Sequence, residues 1–296
     1  MKSKGFVKHY VLMLLPGYAW VIVFCVIPMF GIAIAFQDFN PVRGILGSKW
    51  SGLDTFEYMF QLDDTKTIFV NTLFIACMKI VGNLIVPLTF ALMLNELRIT
   101  ILKRSIQTIV YLPHFLSWVI LGGIVLDLFS YTGPVNQLLA LFGAEPAVFF
   151  AKAPLFPYLV VGSDIWKDFG FNTIIYLAAM TGINPALYEA HAIDGGGRIK
   201  ALWHITLPGI RTTVALLAVL SLGNVLNAGF DQIFNLYNPL VYSTGDIIDT
   251  WVYRAGLLDL QYELATAVGL LKSVIGLILI SISYVLAYRF TNYRIF

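Results

Sequence analysis

Residues 184–211 read NPALYEAHAIDGGGRIKALWHITLPGIR, the most polar run between two long apolar blocks. Pro185 stands where a helix favours its first residue, with Asn184 ahead of it as a cap. Ala186 to Ile193 are good helix formers until Asp194-Gly195-Gly196-Gly197 stops them. Beyond the glycines, Ile199, Leu202, Trp203 and Leu207 recur at helical spacing, and Pro208-Gly209 predicts a break. The stretch therefore predicts helix, glycine elbow, helix, and its polarity marks it as the place where the chain meets something soluble.

On either side the chain turns apolar. Of its 296 residues 58% are hydrophobic and 12% charged, about half the charge of a soluble domain. Runs at 11–36, 67–94, 105–130, 154–181, 212–235 and 264–290 are each long enough to cross a bilayer, for which about 20 apolar residues suffice. The sequence thus predicts an all-α membrane protein of six transmembrane helices in a single domain, 1–296. The first run follows Lys2, Lys4 and Lys8 as a secretory leader would, but it is too long and no small-residue cleavage site follows, so it is read as a retained span. No internal repeat or linker divides the chain, and the connections are too short for a further folded domain. A net charge of +2 gives no pull toward nucleic acid. Cys25 and Cys77 lie inside apolar runs and read as small buried hydrophobes rather than a disulfide or metal pair.

Lysine and arginine orient the spans. Lys2, Lys4 and Lys8 precede the first run, Arg98, Lys103 and Arg104 fill the second connection, Arg198, Lys200 and Arg211 the fourth, and Arg289 and Arg294 the tail. The other connections, although longer, hold only Arg43, Lys49, Lys66, Lys152 and Arg254. This bias places both termini and 184–211 in the cytoplasm. An amphipathic helix resting on lipid headgroups would also be polar here, but it needs no Asp-Gly elbow at a fixed place.

Glu189-Ala190, Asp194-Gly195 and Ile205-Thr206-Leu207-Pro208 together resemble the EAA loop of the membrane subunits of ABC importers, with the family's spacing between them. His191 stands where that family usually has Ala, and Gly197 where Ala or Ser is common. The stretch 12–41, the Arg104-Ser105 to Leu112-Pro113 turn, the run Ser163-Asp164-Ile165-Trp166-Lys167 and the segment 234–256 resemble the polysaccharide and oligosaccharide branch of these permeases. The resemblance implies a type I importer (MetI-like) permease fold with a coupling helix at about 186–197 that docks in a cleft of an ATPase. Within it Glu189 would be an ion-pairing or capping contact, Ala190, His191 and Asp194 would lie on the docking segment, Gly195 would be the elbow, and Pro208 the restart of the fifth span. It further implies a multi-pass protein of the bacterial cytoplasmic membrane, surrounded by lipid. Its implied partners are a second six-span permease chain in a heterodimer, two ABC ATPase subunits that bind ATP and Mg, an extracellular solute-binding lipoprotein and an oligosaccharide.

The residues themselves show no phosphate-cradling G-x-x-x-x-G-K-[ST], no H-E-x-x-H and no G-x-S-x-G, so energy has to arrive from another subunit and enzymatic chemistry has no support. Charge inside the spans stands out: Lys79, Asp127, Asp164, Lys167, Asp168, Asp231 and Lys272. Each costs about 2.5 kcal/mol or more near a helix centre, so such groups face a cavity or one another. Asp164 and Lys167, three apart, can pair along one helix face. Asn224, Asn227 and Asp231 make a polar stripe on the fifth span, suited either to sugar hydroxyls or to interhelical bonding. Trp118 and Trp166 are candidate stacking platforms, and the lysines suggest an acidic sugar such as a uronate. Two other classes remain: an ion-coupled secondary transporter using Asp164, Asp168 and Asp231, which would need broken spans or inverted repeats, and a passive membrane anchor.

Overall fold

The computed structural model describes residues 3–291; Lys2 and Arg294, counted above in the charge bias, lie outside them. Helices dominate, as apolar segments without water to satisfy their backbone require. Four stretches, His9–Phe36, Asp63–Glu96, Arg198–Leu222 and Tyr262–Leu286, are long and apolar enough to cross a membrane. The pair Thr100–Phe115 and Trp118–Leu128, bent by 107°, makes a fifth if taken as one span. Helix Phe156–Thr181 has 26 residues, but Asp164, Lys167 and Asp168 interrupt its apolar character.

Four expected features differ. Cys25 and Cys77, expected to be buried, are both exposed. The run 105–130 is two helices meeting at a sharp bend, where the Ser117 hydroxyl accepts from the Ile120 N–H and caps the second. The run 212–235 is broken: its helix stops at Leu222 and resumes only at Phe230–Leu236, after Gly229 at φ +94°. The restart expected at Pro208 is absent. The helix that begins at Arg198 passes through a wide turn, Leu202–Thr206, in which the Leu207 N–H reaches the Leu202 carbonyl, and continues to Leu222. That turn shifts the hydrogen-bond pattern just where Pro208 has no N–H to give. Pro28 follows the wide turn Ile22–Val26 in the same relation.

The chain forms two compact units, Met1–Thr65 with Trp251–Leu271, and Lys66–Thr250 with Lys272–Phe296. In the first, Gln37–Asp38 pairs antiparallel with Lys49–Trp50. Phe36 stacks on Trp50 at 5.6 Å and 9°, packs at 5.2 Å from Phe56, and Met59 is wholly buried. The second unit is built round Ile75, Leu121, Phe156, Val160, Ile233 and Leu236, with a further cluster of Ala91, Tyr176, Met180 and Ile210. Both clusters join residues from helices distant in sequence, so tertiary packing rather than local propensity orders the broken segments.

Candidate functional site

The 184–211 stretch folds as its sequence predicts up to the elbow. The Asn184 side chain accepts from the Ala186 N–H at 3.0 Å and starts the helix Pro185–Ile193. The helix is closed by the Gly195 N–H on the Ala192 carbonyl at 3.1 Å and the Gly196 N–H on the His191 carbonyl at 2.9 Å. Gly195 adopts φ +74°, the left-handed conformation that a helix-ending glycine supplies without steric cost. Behind the helix, the Tyr188 hydroxyl meets the buried Thr206 hydroxyl at 2.9 Å and ties the short helix to the Arg198–Leu222 rod. In front, Glu189, Ala190 and Asp194 are exposed, as are the large apolar side chains Leu187, Ile193, Ile199 and Trp203. Ile193 is 87% exposed. His191 is half-buried; its Nε2 lies 3.3 Å from the Gly197 carbonyl oxygen, and its ring fills the place where a side chain on Gly196 would sit. The bulk that His191 brings is thus absorbed within the loop.

Two networks of charged residues stand out in the second unit. Lys79, only 7% exposed, pairs with Asp164 at 2.9 Å and donates to the Ala228 carbonyl at 2.7 Å and to Gln232 Oε1. Asn83 donates to the other Asp164 oxygen at 2.9 Å. Gln232 in turn donates to the Val160 carbonyl at 2.7 Å and to the Ser163 hydroxyl at 2.9 Å. Ala228 belongs to the unwound stretch before Phe230, so Lys79 satisfies a carbonyl that the helix break sets free.

Lys167 does the same at the other break. It donates to the His114 carbonyl at 2.9 Å, where the chain turns between Phe115 and Trp118, and lies 3.6 Å from Asp168 and 5.8 Å over the Trp118 ring. His114 is held by Asp168 at 2.8 Å and stacks on Phe171 at 4.0 Å, nearly parallel. Asp164 and Lys167 therefore do not pair with each other, although their spacing allows it. Lys272 pairs with Asp249 at 2.6 Å.

The residues proposed as a stripe are not on one helix, because the backbone unwinds between them. Asn224, Asn227 and Asp231 are nevertheless all exposed at the break, with the Asn227 amide 3.4 Å from the Asn224 carbonyl oxygen. Trp166 is 47% exposed. Asn83, Ser163, His114 and Phe171 were not anticipated as members of these networks. Asn83 was within reach, since it lies four residues after Lys79 and so on the same helix face; for the others no local signal exists. Among the described residues, no group of His, Cys, Asp and Glu is arranged to hold a metal ion.

Known proteins share this chain almost end to end. It is 41% identical over 284 residues to the polygalacturonan/rhamnogalacturonan transport system permease protein YteP of Bacillus subtilis (strain 168), covering 96% of this chain and 88% of that one. To protein LplB of the same organism it is 40% identical over 290 residues, 98% of this chain and 91% of the other. Its backbone matches a chain of a bacterial ABC transporter involved in the import of the acidic polysaccharide alginate, with a TM-score of 0.88, 37% identity and coverage of 97% and 98%. The alginate transporter in complex with an alginate pentasaccharide-bound periplasmic protein matches with a TM-score of 0.87 and 36% identity, covering 97% of each chain. No protein-family model matches the sequence.

Proposed function

Because the chain belongs to the permease subunits of ABC-type sugar importers, we propose that it forms half of the pathway of an ATP-driven importer of acidic oligosaccharides. In this reading six segments cross the bacterial cytoplasmic membrane, with both termini and the 184–211 loop on the inner side. A second permease chain completes the pathway, an extracellular solute-binding lipoprotein delivers the sugar, and two ABC ATPases, which hold the ATP and Mg, supply the work. Acidity of the substrate is supported by the relatives, one named for polygalacturonan and rhamnogalacturonan and one for alginate.

The observation that carries the coupling role is the Pro185–Ile193 helix, tied to a 25-residue membrane rod by Tyr188 and presenting Leu187, Glu189 and Ile193 outward. A displacement applied to that short helix passes through the Tyr188–Thr206 bond and the Gly195 elbow into the Arg198–Leu222 helix. That helix ends where Asn224, Asn227 and Asp231 are exposed, and these, with Trp118 and Trp166, are the groups proposed to meet sugar hydroxyls and ring faces. Lys79 and Lys167 are committed to main-chain carbonyls, so they hold the breaks open rather than greet a carboxylate. Broken helices suit an ion-coupled carrier equally; family membership, not the breaks, separates the two.

The test is co-purification. Wild-type chain retains its ATPases, and Glu189→Lys combined with Gly195→Trp loses them while the permease pair stays assembled. Retention of the ATPases by the double variant removes the coupling assignment.

A further inference from the structure

A cleft of about 550 Å³ lies within the first unit, between the Gln37–Asp38 and Lys49–Trp50 strands, the Asp54–Gln61 helix and the start of the Tyr262–Thr291 helix. None of its residues belongs to the coupling loop or the charged networks, and its size falls in the range of small-molecule sites, ~300–1,000 Å³. Three independent features point to its ligand. First, Trp50 is held by its stacking on Phe36 yet is 63% exposed, so its ring is a fixed platform with open surface. Second, two polar atoms of the lining residues lack any partner: Gln37 Oε1, on a side chain only 8% exposed whose Nε2 is already engaged by the Ile45 carbonyl, and Ser51 Oγ. Such atoms are rare because a buried acceptor left unmade costs about 1–3 kcal/mol. Both atoms are sealed from the cleft as well as from bulk solvent, so a group lodged there reaches them only once their side chains turn toward it. Third, the lining carries both signs of charge, with Asp38, Asp54 and Glu263 beside Lys49, and none of these is ion-paired among the described residues.

We propose that this cleft is a carbohydrate subsite for uncharged, hydroxyl-rich sugar rings. A hydroxyl donates to Gln37 Oε1 and to the carboxylates, accepts from Lys49, and does either with Ser51, while a pyranose C–H face lies on Trp50. A uronate is repelled by the carboxylate excess, three carboxylates to one lysine. Under the topology proposed above the cleft opens to the cell exterior, where the solute-binding lipoprotein delivers sugar, and it takes the uncharged rings of an oligosaccharide whose uronates are met elsewhere; the inference rests on that reading only for its role, not for binding itself.

The test uses the assembled transporter in lipid nanodiscs, titrated with cellobiose, galactobiose and xylobiose and with the diuronate counterpart of cellobiose, read by saturation-transfer NMR. At least one neutral disaccharide binds saturably. Trp50→Ala and Ser51→Ala each weaken it about tenfold or more, and the diuronate binds about tenfold or more weakly than cellobiose or the best neutral sugar. Ser51→Ala removes one atom without disturbing Phe36, so it stands even if Trp50→Ala perturbs the loop. The idea is overturned if no neutral sugar binds saturably, or if binding is indifferent to both variants. It is also overturned if the variants instead lose the solute-binding protein while sugar contact persists, which would make the cleft a protein-docking surface. Failure here leaves the coupling assignment untouched, because that assignment is read by ATPase retention.

Discussion

The Lys79 ammonium lies 2.7 Å from the main-chain oxygen of Ala228, 149 positions further along the chain. It also holds Asp164, so its removal leaves a partly buried carboxylate, with only Asn83 still donating to it, and a freed carbonyl together. Lys79→Met is expected to cost about 3–5 kcal/mol, the range for breaking a buried pair by one partner. Lys79→Met with Asp164→Leu restores part of the loss. Thermal unfolding of the purified complex measures both; a single variant as stable as wild type but with weakened sugar uptake would make Lys79 a substrate contact instead.

Lys167 bridges the bend at His114 through one carbonyl. Lys167→Met loses a hydrogen bond from a charged donor, about 1.5–3 kcal/mol, whereas Lys167→Gln, which keeps a donor, loses less. The ordering Met below Gln below wild type in melting temperature is the expected result, and equal losses would show that charge rather than the carbonyl bond matters.

Tyr188→Phe deletes the hydroxyl that meets Thr206. One hydrogen bond of about 1 kcal/mol predicts that ATPases still co-purify while transport per ATP hydrolysed falls roughly fivefold. Proteoliposome uptake measured beside phosphate release separates this from simple loss of binding.

Gly196→Ala would place its side chain 2.1 Å from His191 Nε2, so the imidazole has to leave the Gly197 carbonyl. Overpacking of this kind costs about 1–3 kcal/mol, toward the low end here because a ring can swing away. In a His191→Ala background the same substitution is expected to be nearly neutral, which a double-mutant cycle on complex stability reads directly.

The coupling loop was legible residue by residue because its signals are local. An Asn cap, a Pro at the first helical position and a Gly whose φ must be positive act over two to four neighbours, and all of them stand in the folded loop. The bend after Phe115 and the gap from Leu222 to Phe230 were not legible. The signals present, Pro113 before the bend and Gly223, Asn224, Asn227 and Gly229 in the gap, are outweighed by the apolar residues around them, and hydropathy measures composition, not whether each carbonyl has a partner. Pro208 misled for a related reason: a missing N–H predicts a break, yet a wide turn one step earlier accommodates it.

Sequence alone determined that this chain is a greasy helical body with a polar, glycine-hinged loop, since bilayer length and helix capping are properties of contiguous residues. Tertiary structure decided what the intramembrane charges are for. Asp164 meets Lys79 and not Lys167, and both lysines end on carbonyls freed by breaks in other helices. Where no water reaches, an unsatisfied carbonyl is costly enough to recruit a cation from any distance along the chain, and only the fold brings that cation to it.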